Sequence, residues 1–171
     1  MNVSSEITPY LVLGSAGVRT PRFLENNKIT LVINAAHNFE LTAKCSVNQI
    51  CIDSDDSPDY MLKKHFETVA LHIHNEKEKG GKVFIHCVAG ISRAPSLVLA
   101  YLMRYENMSL ADAYKLVHNK RIFVRPNMGF WKQLIEYEEE LVGKNTVTMI
   151  SSGSMLIPSI YETQYQNMMA I

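Results

Sequence analysis

Cysteine is scarce in this sequence, and the three that occur, Cys45, Cys51 and Cys87, are an odd number. Such a set does not fit the disulfide framework of a small secreted domain. The first residues also lack the basic stretch followed by an apolar stretch that marks a secretory leader. We therefore expect a cytoplasmic or nuclear protein, in which Cys45 and Cys51 are small buried packing residues.

Net charge and long apolar runs are also missing. Seventeen Lys and Arg residues balance seventeen Asp and Glu residues, so no basic field attracts nucleic acid or an anionic membrane surface. No run of apolar residues is long enough to span a bilayer, and Asn2 replaces the Gly that myristoylation requires. No group of His, Cys and Asp residues has the spacing of metal ligands. We expect no nucleic acid, membrane, metal or organic cofactor, and any anion must be recognised locally.

What is present, in 171 residues that are 47% hydrophobic, is enough for one packed core. Short apolar runs predict four strands, at Tyr10–Leu13, Ile29–Asn34, Gln49–Asp53 and Lys82–His86. The last two runs flank a helical pattern that opens at Ser57-Pro58. This alternation predicts an α/β domain of three layers, with a central, mostly parallel sheet of about four or five strands flanked by helices.

The second half of the chain reads as helical. One largely buried helix begins within Ser92–Ala94, and Ser109 has the spacing of an N-cap. A final helix follows Asn127 and ends at Gly143. We place the folded domain at residues 1–143, with a tail at 144–171 that packs on the domain or trails from it.

The segment that leads through Cys87 to Arg93 carries the chemistry. An apolar strand ends at Cys87, and a short loop with Gly90 then enters a helix. Backbone N–H groups and the helix dipole at such a terminus bind an anion, and the guanidinium of Arg93 matches two phosphate oxygens. Because the same groups favour the thiolate, we predict that Cys87 attacks a bound phosphoryl group and forms a covalent thiophosphate.

A proton donor for the leaving oxygen is expected in the loop after the strand Gln49–Asp53. Parallel strands end at one edge of the sheet, where α/β proteins bind ligands. Among the aspartates there, Asp56 is the preferred candidate because it directly precedes Ser57-Pro58, and Asp55 is the reserve. The same carboxylate would activate the water that hydrolyses the thiophosphate.

The pattern His86-Cys87-x5-Arg93 resembles the signature loop of the cysteine-dependent protein tyrosine phosphatases. With Asp56-Ser57-Pro58, Ala100–Met103 and Arg125–Trp131, the chain is similar to the small atypical dual-specificity phosphatases from about Ile7 to Tyr161. The resemblance implies their protein-tyrosine-phosphatase-like fold, with residues 1–143 as the catalytic domain. It also implies hydrolysis of phosphotyrosine, phosphoserine and phosphothreonine in phosphorylated proteins, with members of the MAP-kinase pathway among the partners to test.

Carried over residue by residue, the resemblance makes Cys87 the nucleophile, Arg93 the phosphate-binding arginine and Asp56 the general acid. The phosphate-binding amides become those of Val88, Ala89, Gly90, Ile91, Ser92 and Arg93. Two residues are expected to support the site: His86 orients the loop through hydrogen bonds, and Asn127 caps a helix or braces a loop. Arg121 and Arg125 either steer an acidic phosphoprotein or are solvated surface charges.

One position departs from the family pattern. Ala94 stands where a Ser or Thr hydroxyl usually stabilises the departing thiolate. Loss of a hydrogen bond to a charged group costs about 1.5–3 kcal/mol, so we expect slow turnover. The alternatives are a catalytically weak module that binds phosphoproteins, and a phosphatase for RNA 5′ ends or lipids, which the neutral charge and the apolar loop disfavour.

Overall fold

The computed structural model describes residues 3–37 and 46–169. The strands are β1 (Ser4–Thr8), β2 (Leu11–Ser15), β3 (Leu31–Asn34), β4 (Asn48–Cys51), β5 (Val83–Cys87), β6 (Met149–Ser152) and β7 (Met155–Pro158). The helices are α1 (Pro21–Asn26), α2 (Phe66–Glu78), α3 (Arg93–Tyr105), α4 (Leu110–Lys120), α5 (Met128–Val142) and α6 (Ser159–Met169). None of the helices in this part of the chain is long and apolar enough to cross a membrane.

A five-stranded sheet with the order β1-β2-β5-β3-β4 forms the centre. Strands β2, β5, β3 and β4 run parallel, and β1 pairs antiparallel with β2 at one edge. This confirms the predicted α/β architecture and its mostly parallel sheet. Sequence patterning missed β1, since only one of its five residues is buried.

Helix α3 is the central helix of the core. Eleven consecutive residues, from Arg93 to Met103, are buried, as the apolar run predicted. It packs against α2, α4 and α5, in the main core cluster that also includes Trp131. A smaller cluster around Phe84 covers the other face of the sheet. The nucleophile candidate therefore lies between a fully buried strand and the buried first eleven residues of α3.

The predicted start of α2 at Ser57-Pro58 was wrong. A turn of 3-10 helix at Leu62–His65 precedes α2, which begins at Phe66. Tertiary contacts hold the segment outside the helix: the amide side chain of Gln133 accepts from Lys63 N at 2.8 Å and donates to the Tyr60 carbonyl at 2.8 Å. The result is a longer loop after β4 than local propensity indicates.

Residues 146–161 contact the rest of the chain. Val147 and Tyr161 are buried, and Trp131 Nε1 donates to the Tyr161 hydroxyl at 2.9 Å. The buried carboxylate of Glu138 accepts from the Thr146 amide and hydroxyl at 2.7 Å. The hairpin of β6 and β7 and the helix α6 were not predicted, and the boundary at residue 143 stays a prediction.

Candidate active site

Cys87 ends β5, the middle strand of the sheet, and its side chain is almost fully buried. The loop after it turns at Gly90, which has φ of +68°. A Cβ at Gly90 would lie 2.5 Å from the carbonyl oxygen of Gly14, so the loop packs directly on the backbone at the end of β2. Only glycine meets both demands, the left-handed conformation and the close approach.

Every carbonyl of the loop from Cys87 to Ser92 accepts a hydrogen bond. The donors are His86 Nδ1 to Cys87, Ala16 N to Val88, Arg121 Nη2 to Ala89, Arg121 Nε to Gly90, Arg125 N to Ile91, and Ser96 N and Oγ to Ser92, at 2.7–3.1 Å. In a planar trans peptide the N–H points opposite to the carbonyl. Each amide of residues 88–93 therefore points away from the donor that binds the carbonyl of its own peptide, and amides left in this way are suited to an anion.

Arg93 begins α3 and lies 8% exposed beside this loop. Its Nη1 donates to the Ser54 carbonyl at 2.7 Å, and Ser54 is itself fixed by its hydroxyl, which donates to the Ala35 carbonyl. Its Nε is buried and has no hydrogen-bond partner among the described residues. The guanidinium is thus anchored at one nitrogen and has a second donor left for an anion.

His86 is a buried structural histidine. Nδ1 donates to the Cys87 carbonyl at 3.1 Å, so Nε2 accepts from Arg19 Nη1 at 3.3 Å. Burial lowers the pKa of His86 to about 4, against the opposing effect of the hydrogen bond to Cys87. With this pKa the ring is neutral near pH 7, and its Nδ1 binds the carbonyl of the first peptide of the loop.

The aspartates after β4 have different partners, and this separates the two acid candidates. Asp56 Oδ1 accepts from Asn127 Nδ2 at 2.9 Å. Asp55 instead bonds to His37, which also bonds to Asp53. Those two hydrogen bonds, with Asp55 the stronger cause, raise the pKa of His37. No pattern in the sequence pointed to His37, because it is distant from these aspartates along the chain and matches no motif.

Asn127 connects the acid candidate to the loop. Its Oδ1 accepts from Phe130 N at 2.9 Å, which makes it the N-cap of α5 as predicted. Its backbone N–H donates to Ser92 Oγ at 2.9 Å, and its Nδ2 reaches Asp56. One side chain therefore fixes a helix start, and the same residue joins Asp56 to the loop.

Arg121 was wrongly expected to be a surface charge or a steering residue. It is 4% exposed, and it donates to the Gly90 and Ala89 carbonyls and, at 3.1 Å, to Val3. Arg125 is exposed, with its guanidinium over the Tyr161 ring. Cys51, expected to be buried, is exposed, and Cys45 lies outside the described residues.

Comparison with known proteins finds relatives that match the part of the chain containing these residues. The family model "Dual specificity phosphatase, catalytic domain" matches residues 11–140, a span that includes Cys87, Arg93 and Asp56. The chain belongs to the dual specificity phosphatase family. Human dual specificity protein phosphatase 18 is 40% identical over 98% of this chain and 89% of its own length. Mouse dual specificity protein phosphatase 14 is 37% identical over 96% of this chain and 84% of its own length.

Solved structures of dual specificity phosphatases have the same fold. Human DUSP28 superposes with a TM-score of 0.76 at 31% identity, covering 81% of this chain and 94% of that one. Human tyrosine phosphatase-like serine/threonine/tyrosine-interacting protein superposes with a TM-score of 0.74 at 31% identity, covering 80% and 96%. Family membership supports a cysteine-based protein phosphatase that acts on phosphoproteins. No group of three or more potential metal ligands occurs within residues 3–37 and 46–169.

Proposed function

We propose that this protein hydrolyses phosphotyrosine, phosphoserine and phosphothreonine monoesters in proteins through a cysteinyl-phosphate intermediate on Cys87. The observation that carries the proposal is the loop after Cys87, in which every carbonyl from Cys87 to Ser92 accepts a hydrogen bond. The amide of each of these peptides points away from the donor that binds its carbonyl. Amides from Val88 to Arg93, among them Ala89, Gly90, Ile91 and Ser92, then bind the phosphoryl oxygens. Fixed donors of this kind stabilise the charge of the transferring group without reorganisation.

Arg93 supplies the charged donor at this site. Its anchored Nη1 fixes the guanidinium plane, and its buried Nε, together with Nη2, binds two phosphoryl oxygens as a fork. As the thiolate of Cys87 forms a bond to phosphorus, the bond from phosphorus to the ester oxygen breaks. Arg93 neutralises the charge that spreads over the equatorial oxygens during this transfer.

Asp56 is the general acid of the proposed mechanism. It gives its proton to the departing ester oxygen, and as a carboxylate it then takes a proton from the water that attacks the thiophosphate. Asn127 supports this role because its amide occupies one oxygen of Asp56 and leaves the other for the proton. Asp55, held by His37, is less suited. Ala94, buried in the first turn of α3, offers no hydroxyl to the leaving thiolate, so the second step is slow.

Hydrolysis of an aryl phosphate tests the proposal. Wild type is expected to release phosphate, and Cys87→Ser to lose that activity, because the hydroxyl is a much weaker nucleophile than the thiolate. Cys51→Ser, at an exposed cysteine on the sheet edge, is the matched control and keeps the wild-type rate. Equal rates for wild type and Cys87→Ser would reduce the protein to a binding module.

The acid assignment is tested with a poor leaving group. Asp56→Asn is expected to slow hydrolysis of a phosphoserine peptide far more than hydrolysis of a nitrophenyl phosphate, because the nitrophenolate leaving group departs without a proton. Asp59→Asn, in the same loop, is the control. If Asp55→Asn slowed hydrolysis of the phosphoserine peptide more than Asp56→Asn did, Asp55 and not Asp56 would be the general acid.

The physiological substrate can be identified by substrate trapping. Asp56→Ala, which slows departure of the leaving group and keeps the loop, is expected to retain phosphoproteins from a cytosolic or nuclear extract. Phosphorylated members of the MAP-kinase pathway are the first panel to test. Competition by inorganic phosphate distinguishes capture at this site from other adhesion, because phosphate occupies the same loop.

A further inference from the structure

The buried guanidinium of Arg121 lies behind the loop, on the side away from the proposed phosphate site. Its Nε donates to the Gly90 carbonyl at 2.8 Å, and its Nη2 donates to the Ala89 carbonyl at 2.9 Å. These carbonyls share peptide planes with the amides of Gly90 and Ile91. Fixing the two carbonyls therefore fixes two of the amides that face the opposite way.

We propose that Arg121 is a positioning residue of the reaction: it holds the Ala89 and Gly90 peptides in the phosphate-binding orientation. This inference rests on the function proposed above, since it assigns Arg121 a part in the same site. Arg93 acts on the phosphoryl group directly, whereas Arg121 acts through the backbone of the loop.

Only a guanidinium fits this role. Adjacent carbonyls in the tight loop are held by adjacent nitrogens of one rigid fork, which a single ammonium group does not reproduce. The third nitrogen, Nη1, donates to the Val3 carbonyl at 3.1 Å, which ties the fork to the start of the chain. A Cβ at Gly90 would also approach Arg121 Nη2 to 2.9 Å, so the contact leaves no spare room.

The charge of Arg121 points to the same conclusion. A buried cation is costly unless an anion compensates it, yet within residues 3–37 and 46–169 Arg121 forms no salt bridge with a carboxylate. Burial lowers the pKa of Arg121, and the negative charge of Cys87 opposes that shift. The described partners of its guanidinium are instead the carbonyl oxygens of Gly90, Ala89 and Val3, so the burial of Arg121 depends on its contact with the loop.

Phosphate affinity is the measurement that tests this role. Inorganic phosphate binding is measured by calorimetry for Arg121→Met, Arg121→Lys and wild type, with Arg104→Met as control. Arg104 is an exposed arginine about 16 Å along α3 from Arg93, at about 1.5 Å per residue, and its Nε donates to Glu67 across the helix pair. Loss of the equivalent of one charge-assisted hydrogen bond predicts about ten- to hundred-fold weaker phosphate binding for Arg121→Met. We expect an intermediate loss for Arg121→Lys and none for the control.

Turnover separates positioning from packing. In the folded variants we expect kcat to fall together with phosphate affinity, because misaligned amides weaken the transition state more than the bound ester. If Arg121→Met does not fold, Arg121→Lys, which keeps the charge, decides. Wild-type phosphate affinity and kcat in a folded Arg121→Met or in Arg121→Lys would overturn the inference while leaving the phosphatase intact. A wild type that binds phosphate but never hydrolyses an ester would overturn the proposed function. The phosphate affinities of the variants would still test whether Arg121 positions the loop.

Discussion

Asn127 performs two tasks with one side chain, and the two are separable by mutation. Its Oδ1 caps α5 through Phe130 N, and its Nδ2 holds Asp56, each at 2.9 Å. A serine at this position keeps an oxygen that caps the helix but has no amide to reach Asp56. We therefore expect Asn127→Ser to fold with close to wild-type stability and to lose catalytic rate.

The size of the rate loss follows from the bond that is removed. A hydrogen bond to a carboxylate contributes about 1.5–3 kcal/mol, so a misplaced Asp56 costs about 10- to 100-fold in the step that needs its proton. The loss is expected with phosphoserine and phosphothreonine peptides, whose alkoxides leave poorly. A nitrophenyl phosphate, whose leaving group needs no proton, should be hydrolysed almost normally.

Ser109 provides the matched control. Its hydroxyl caps α4, a different helix, by accepting from Asp112 N at 3.1 Å. Ser109→Ala is expected to lower the free energy of unfolding by about 1 kcal/mol and to leave the rate unchanged. The reasoning would be refuted if Asn127→Ser lost rate equally on both leaving groups, or if its losses were only those of a destabilised helix.

Three further perturbations are predicted. Gly90→Ala is expected to abolish phosphate binding because its Cβ meets the Gly14 carbonyl at 2.5 Å; Gly153→Ala, at a similar positive φ in open space, should cost only about 1–2 kcal/mol in urea unfolding and no activity. The pKa of His86, about 4 in the folded state against 6.5 for an ordinary histidine, means that the unfolded chain takes up protons first as the pH falls. The contribution of His86 to stability is therefore present above about pH 6.5 and shrinks below it, by about 2 kcal/mol at about pH 5, and His86→Gln should flatten this pH dependence in urea unfolding. Ala94→Ser should speed thiophosphate hydrolysis about 10- to 100-fold, and an unchanged pre-steady-state burst of aryl alcohol would contradict the role given to that position.

The parts of the site that depend on local sequence were predictable. Cys87, Gly90 and Arg93 lie within seven consecutive residues, and a strand that ends in a loop at a helix start leaves little choice of geometry. The caps of α4 and α5 were predictable for the same reason, since a cap is a contact between residues three positions apart. The four parallel strands of the sheet followed from their short apolar runs, whereas β1, with one buried residue, did not.

The parts that depend on long-range contacts were not predictable. Arg121 contacts carbonyls about thirty residues earlier in the chain, and an isolated arginine next to a helix end reads as solvated. His37, which follows β3, bonds to Asp53 and Asp55, which follow β4. No spacing along the chain indicates that these side chains meet. The start of α2 was misplaced because Gln133 of a distant helix holds the preceding segment as a loop.

The central claim is that a phosphoryl group is transferred to the sulfur of Cys87. Acid quenching during turnover of a phosphopeptide, followed by mass spectrometry of the peptide that contains Cys87, tests it most directly. We predict one phosphoryl group on Cys87, more of it in wild type than in Ala94→Ser, and none in Cys87→Ser. Turnover that persists in Cys87→Ser, or a phosphoryl group on another residue, would contradict the account.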